Sequence, residues 1–244
     1  MRVGRLLQRI GERFVVSSLR KETGAGSKEP DYHPMPWLGW DDAARAAGTL
    51  SRLAAIEQAL ADRKVGEGVV LDIGSHSGFF SLKLAERGFF VYGVESVRQR
   101  VYLSFLAGQR IRGSFTPIRL KIDRNNVALL PDSDVTLCLS VWHHWVRNFG
   151  LDDATEILIS VAKKTRRLVF FDAGEGEMGD RYRLPYGESE GAADYLENYL
   201  RGLPNVQSVS RLGAHQAFAP QDANGHRRSV FRTLFCVEMK NPSC

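Results

Sequence analysis

Cysteine is scarce in this chain of 244 residues: Cys138, Cys236 and Cys244 are the only three, and none belongs to a C-x-x-C pair. That argues against a disulfide framework or a thiolate metal site and points to a reducing environment. Long apolar runs are missing too. No stretch of about 18 apolar residues occurs, so no membrane-spanning helix is expected. The first residues lack the apolar core and small-residue cleavage site of a secretory signal, so a cytoplasmic location is expected. Repeats and low-complexity tracts are absent. So is the G-x-G-x-x-G fingerprint of a dinucleotide site.

What remains is a globular composition, 43% apolar and 25% charged, with enough length to bury a substantial core. The net charge of +5 sits mostly at the N-terminus, where Arg2, Arg5, Arg9, Arg13, Arg20, Lys21 and Lys28 outnumber Glu12, Glu22 and Glu29. The rest is close to neutral, which argues against extended nucleic-acid binding, because that needs many cationic contacts. Val3, Leu6, Leu7, Ile10 and Phe14 recur at helical spacing with arginines opposite. Such a basic amphipathic helix over residues 1–20 can lie on the inner face of an anionic membrane or pack on its own domain.

TGAGSKEP then breaks the chain, and a helix is expected from Asp41 to Arg63. Residues 1–64 therefore read as a leader and helical cap. Tyr32, His33, Trp37 and Trp40 either face a substrate at the mouth of a site or pack this cap onto a sheet.

From Val69 the pattern alternates strand and helix. Strands are predicted near 69–73, 90–94, 115–122, 134–140, 167–172, 206–213 and 229–239, and helices near 78–87, 97–109, 151–164 and 191–201. The expected fold is α/β: a Rossmann-like, seven-stranded, mostly parallel sheet with an antiparallel C-terminal hairpin over residues 65–244, plus the N-terminal helical extension.

The first β-α-β unit reads VVLDIGSHSGFFSLKLAERGFFVYGVES, residues 69–96. Gly74, Ser75, His76, Ser77 and Gly78 make the turn and Phe79 opens the helix. A pyrophosphate needs close backbone approach at the middle position, where His76 would obstruct it. The loop suits a ligand without phosphate. A cationic sulfonium nucleoside, S-adenosylmethionine, is such a ligand. Asp72 at a strand end favours its positive end, Glu95 can accept both ribose hydroxyls, and Asp123 is placed to accept from the adenine amino group. Contacts are expected from Asp72, Gly74, Ser75, His76, Gly78, Phe79, Glu95, Ser96, Asp123 and Ser140.

Asp72, Gly74 and Gly78 match the acid-x-G-x-G-x-G motif of the class I S-adenosylmethionine-dependent methyltransferases, and the sequence resembles that family over roughly residues 65–240. His76 departs from the motif's middle glycine. The resemblance implies Asp72 and Gly74 near the methionine moiety, Glu95 on ribose and Asp123 on adenine.

The fourth strand runs into LSVWHHW, residues 139–145, at the sheet edge that borders ligands in such folds,. His144 and His143 are candidate bases for an alcohol acceptor, with one facing the site and the other packing. Trp142 is a candidate substrate contact. No further ligand spacing supports a metal. This string, followed by RLVFFDAGE, is similar to methyltransferase domains of bacterial enzymes that cap O-antigen polysaccharides. It is more distantly similar to those that cap the terminal phosphate of small nuclear RNAs. The resemblance implies an acceptor oxygen on a glycan, glycolipid or phosphate. A small-molecule acceptor and a non-catalytic cofactor-binding module are the alternatives. A phosphate would call for arginine forks, for which Arg181, Arg183, Arg227, Arg228 and Arg232 are candidates. Asp172 could orient a histidine or cap its loop.

Overall fold

The computed structural model describes residues 33–39, 46–178, 180–186, 191–218 and 228–240. The predicted leader helix, Tyr32, Trp40, Arg227 and the side chain of Arg181 lie outside them.

Seven strands form one sheet: β1 (Val69–Ile73), β2 (Phe90–Glu95), β3 (Ser114–Arg119), β4 (Ser133–Leu139), β5 (Thr165–Asp172), β6 (Val206–Phe218) and β7 (Ser229–Met239). Among the described residues six α-helices accompany them: α1 (Ala46–Asp62), α2 (Phe79–Glu86), α3 (Arg98–Gly108), α4 (Trp142–Phe149), α5 (Leu151–Lys163) and α6 (Ala192–Arg201). The strand order is β3-β2-β1-β4-β5-β7-β6. The first five strands run parallel, while β7 is antiparallel to both β5 and β6. The order reverses direction between β1 and β4, and the crevice at such a reversal is where open α/β sheets hold ligands.

The sheet is covered on both faces. Consecutive strand residues point to opposite sides, so Phe170 joins Leu53, Ile56 and Phe79 in one core, whereas Phe171 joins Trp142, Ile157 and Leu196 in the other. Helix α1 buries Thr49, Arg52, Leu53, Ile56 and Leu60, a stripe at the three-to-four spacing of a helix packed on a sheet.

The terminal hairpin overhangs the carboxyl edge. β7 pairs with β5 only from Leu168↔Glu238 to Phe171↔Phe235, whereas its pairing with β6 continues to Phe218↔Ser229. The overhang meets α1. A Cβ at Gly48 would run into the Gln216 carbonyl oxygen, and His215 Nδ1 sits 2.9 Å from Ser51 Oγ. Glycine at 48 is what lets helix and strand approach so closely.

Observed strands begin and end within a few residues of the predicted ones, except that β6 is longer. One helix went unpredicted. WHHW is not an irregular extension of the fourth strand but the first turn of α4. The chain reaches it through Ser140, which holds a left-handed φ of 57°, a conformation that costs a non-glycine residue energy. Among the described residues, no helix is long and apolar enough to cross a membrane, and no cluster of three or more His, Cys, Asp or Glu could hold a metal.

Candidate active site

A cavity of about 440 Å³ opens at the carboxyl ends of β1 to β4, a size suited to one small ligand. Its walls come from the β1–α2 turn, the ends of β2, β3 and β4, helix α4, and the cap residues His33 and Arg52.

The turn is built by backbone geometry. Gly74 and Gly78 take φ of 70° and 89°, and the amides of Gly74 and Ser75 both donate to the Val94 carbonyl, at 2.8 and 3.0 Å. A Cβ at Gly74 would strike Val141 Cγ2. His76, at the motif's middle position, holds φ 53° and so takes the left-handed conformation that a glycine would adopt freely. Its amide donates to Glu95 Oε2 at 3.1 Å.

Two acids face this turn. Asp72 is buried, and Ser81 Oγ donates to its Oδ2 at 2.6 Å. Burial pushes its carboxyl up to about 7, against the hydroxyl's opposing effect. A carboxylate held so far from water favours a cationic partner. Glu95 accepts from Ser96 Oγ at 3.1 Å and the Val97 amide at 2.8 Å through Oε1. With the His76 amide these three donors take three of about four acceptor positions on its oxygens, which leaves one, on Oε2, for a ribose hydroxyl. A buried acid, a glycine turn and a second acid one strand away fit a sulfonium nucleoside.

On the opposite wall His144 lines the cavity, with Arg147, Asn148 and Phe149 from the same helix. Burial lowers its pKa to about 4, and Arg147, Arg232 and Arg100 add to the effect. His144 is therefore neutral at physiological pH. His143 points inward instead. Its Nδ1 accepts from the Gly174 amide at 2.9 Å, so it anchors the loop after β5.

The structure gathers Asp72, Gly74, Ser75, His76, Glu95, Ser96, Ser140 and His144 around one cavity. Several other candidates lie elsewhere. Gly78 starts α2, where a Cβ would press on Ser104 Cβ, and Phe79 is buried in the core. Asp123 spends its Oδ1 on the amides of Asn125 and Asn126, at 2.8 and 3.2 Å, so it shapes a turn, while Ile122 beside it lines the cavity. Trp142 is fully buried and donates to Tyr199 Oη at 3.2 Å; it is core, not a substrate contact. Trp37 packs on Phe79 and donates to Glu86 Oε1 at 2.7 Å, outside the cavity. Arg183 and Arg228 are exposed and do not line it.

Asp172 sits behind the wall. It accepts from Ser140 Oγ and from Arg52 Nη1, each at 2.7 Å. Arg232 extends this chain, donating to Ser140 Oγ at 3.2 Å and to the buried Glu177 at 2.7 Å. Arg52, Arg100, Lys121 and Arg147 are cavity residues that the motifs did not single out. Arg52 carried a usable signal: it shares the apolar stripe of α1 with Ile56 and Ala59, an odd place for a charge.

The fold is that of the class I S-adenosylmethionine-dependent methyltransferases. The chain is 28% identical over 134 residues to the O-antigen chain terminator bifunctional methyltransferase/kinase WbdD of Escherichia coli, a match covering 53% of this chain and 19% of WbdD. A WbdD crystal structure superposes with a TM-score of 0.63 at 22% identity, covering 90% of this chain and 45% of that one. Magnesium protoporphyrin IX methyltransferase (ChlM) from Synechocystis PCC 6803, solved with bound S-adenosylmethionine, gives 0.52 at 16% identity, over 79% of this chain and 80% of that one. TehB from Haemophilus influenzae gives 0.53 at 14% identity, over 77% and 62%. This chain thus spans less than half the length of the WbdD chain it superposes on. No protein-family model matches it.

Proposed function

We propose that this protein methylates an anionic oxygen, a phosphate carried on a cell-envelope glycan or glycolipid. The bound cofactor would supply an electrophilic methyl on sulfonium. The protein's part is to hold the acceptor oxygen in line with that methyl, since positioning supplies much of the acceleration in a direct displacement.

One observation carries the choice of acceptor: Lys121, just after β3, and Arg147, on the same helix as His144, are exposed cations that line the cavity, whereas Arg100 is paired with Glu95 at 3.9 Å. A phosphate is already ionised at neutral pH and needs cationic forks, not a base. His144 supports the same view. A base works best when its pKa lies near the operating pH, and a value of about 4 leaves it a weak acceptor for a hydroxyl proton. In the neutral state it can donate one hydrogen bond to a phosphate oxygen. The likeness to a protein named an O-antigen chain terminator brings in the glycan, and the basic leader would draw the protein to membrane-linked acceptors at the cytoplasmic face.

A hydroxyl acceptor has one feature in its favour, the neutral and partly accessible imidazole of His144. The test separates the two. An oligosaccharide bearing a terminal phosphate and the same oligosaccharide after phosphatase treatment are offered with isotopically labelled cofactor. Labelled methyl ester on the phosphorylated sugar alone is the expected result. Equal transfer to the dephosphorylated sugar would remove the phosphate from this function. Deleting residues 1–22 should reduce binding to anionic vesicles without slowing transfer to a soluble acceptor.

A further inference from the structure

Between Ser96 and Ile122 the sequence holds no Asp or Glu, yet it holds Arg98, Arg100, Arg110, Arg112, Arg119 and Lys121. The stretch builds α3 and β3, and β3 is an edge strand of the sheet. Charge that is nearly balanced over the domain as a whole is therefore segregated on this flank. Two of the cations are engaged: Arg100 lies 3.9 Å from Glu95, and Arg110 donates to the Trp37 carbonyl at 2.5 Å. Arg98, Arg112 and Arg119 are exposed and enter no ion pair among the described residues.

Helix α3 buries Leu103, Ser104, Leu106 and Ala107. On its opposite face Arg98, Tyr102, Phe105 and Gln109 recur at steps of three and four, the register of one stripe,. Tyr102 and Phe105 are 41% and 45% exposed, although a stripe turned away from the core is ordinarily polar. Strand alternation sends Arg119 to the same side of β3 as Phe115, and Phe115 packs against the cluster that holds Leu103 and Ala107. The arginines and the rings thus share one surface.

Folding does not explain these charges. Arg98 and Arg100 open α3, whose first turn has no acid, although the helix dipole favours acids there and disfavours cations. A flank of arginines around exposed aromatic rings complements an anionic lipid surface: headgroups take the guanidinium groups, and the rings reach the acyl boundary. The flank also runs into the site, because Arg100 and Lys121 line the cavity. We infer that α3 and the edge strand β3 dock on an anionic membrane, with the cavity mouth turned to the lipid. This contact is separate from the basic leader, and it serves any membrane-linked acceptor, phosphorylated or not. Nucleic acid is the rival partner for arginines and rings. Single strands, however, run along a groove with bases stacked on its aromatics, whereas Tyr102 and Phe105 stand on the outward face of a helix.

The test is sedimentation of the full chain with vesicles of phosphatidylcholine containing about one third phosphatidylglycerol. Arg98→Gln/Arg112→Gln/Arg119→Gln should bind at least about 20-fold more weakly than the parent, since each cation near such a surface contributes about five-fold. Tyr102→Ser/Phe105→Ser should bind about ten-fold more weakly, a loss that persists in high salt, where the arginine effect fades. Arg87→Gln/Arg166→Gln/Arg201→Gln removes the same charge from exposed sites on other elements and should stay within about three-fold of the parent. Melting curves establish that each protein is folded, and transfer to a soluble acceptor should be unchanged throughout. Patch variants that bind vesicles like the parent overturn the docking surface. So does a control that loses as much as the arginine variant, or a patch variant that keeps its vesicle binding and loses affinity for single-stranded DNA. A parent that binds vesicles through this flank but methylates no acceptor would sink the catalytic reading alone.

Discussion

Cofactor affinity should depend steeply on pH just below neutrality, because Asp72 is held near about 7 by burial. In the free protein at pH 6 most molecules carry a proton there. A cationic ligand binds the ionised form and drives the proton off. If the bound carboxylate titrates well below pH 6, apparent affinity scales as the ionised fraction. Between pH 7.5 and 6.0 it should then weaken about eight-fold, or about 1.3 kcal/mol. Calorimetry with S-adenosylhomocysteine in two buffers of different ionisation enthalpy would show both the weakening and close to one proton released per ligand at pH 6.

The same burial works against the unliganded fold. A carboxyl whose folded pKa exceeds its unfolded value contributes stability that is full below about pH 4 and lost as pH rises through about 7. Asp72→Asn should therefore melt higher than the parent at pH 7.5 while binding cofactor more weakly and without the pH slope. Affinity constant within two-fold from pH 6 to 7.5, or an unchanged slope in Asp72→Asn, would refute the reasoning.

Three further outcomes follow from the geometry. Gly74→Ala combines an unfavourable φ with a collision against Val141, so it should lower stability by about 1–3 kcal/mol and weaken nucleoside binding measured by calorimetry. Trp142→Ala should cost about 3–5 kcal/mol in denaturant unfolding, a core effect that a surface substrate contact would not produce. At saturating cofactor, Arg147→Gln and Lys121→Gln together should lower kcat/KM for a phosphate acceptor by about 100-fold or more, against less than about ten-fold for His144→Ala. The reverse order would restore the histidine as a base.

The glycine turn and its two acids were readable because each depends on local backbone chemistry: a tight turn needs glycine, and the strands around it are runs of β-branched and aromatic residues. The sheet order followed from alternation and a late hairpin. α4 was not readable in the same way. WHHWVRNF combines residues of middling helix propensity directly after a strand, and nothing local marks where the strand stops; the left-handed turn at Ser140 does that. Trp142 then falls on the inward face of a helix instead of a free edge. Asp123 was ambiguous because an acid after a strand serves an Asx turn, as its Oδ1 does here, as readily as a ligand. Arg52 needed tertiary knowledge, since its partner Asp172 is 120 residues away.

The junction between α1 and the overhanging hairpin bears on the order of events during translation. Helix α1 touches β6 through Gly48 and His215, and Arg52 reaches Asp172, the last residue of β5, with which β7 pairs. The glycine turn is made early, but the wall that carries Arg52 cannot be closed until the chain has emerged from the ribosome to about Met239. A nascent chain halted before that point would present an open crevice, with a buried-type arginine and aspartate still in water.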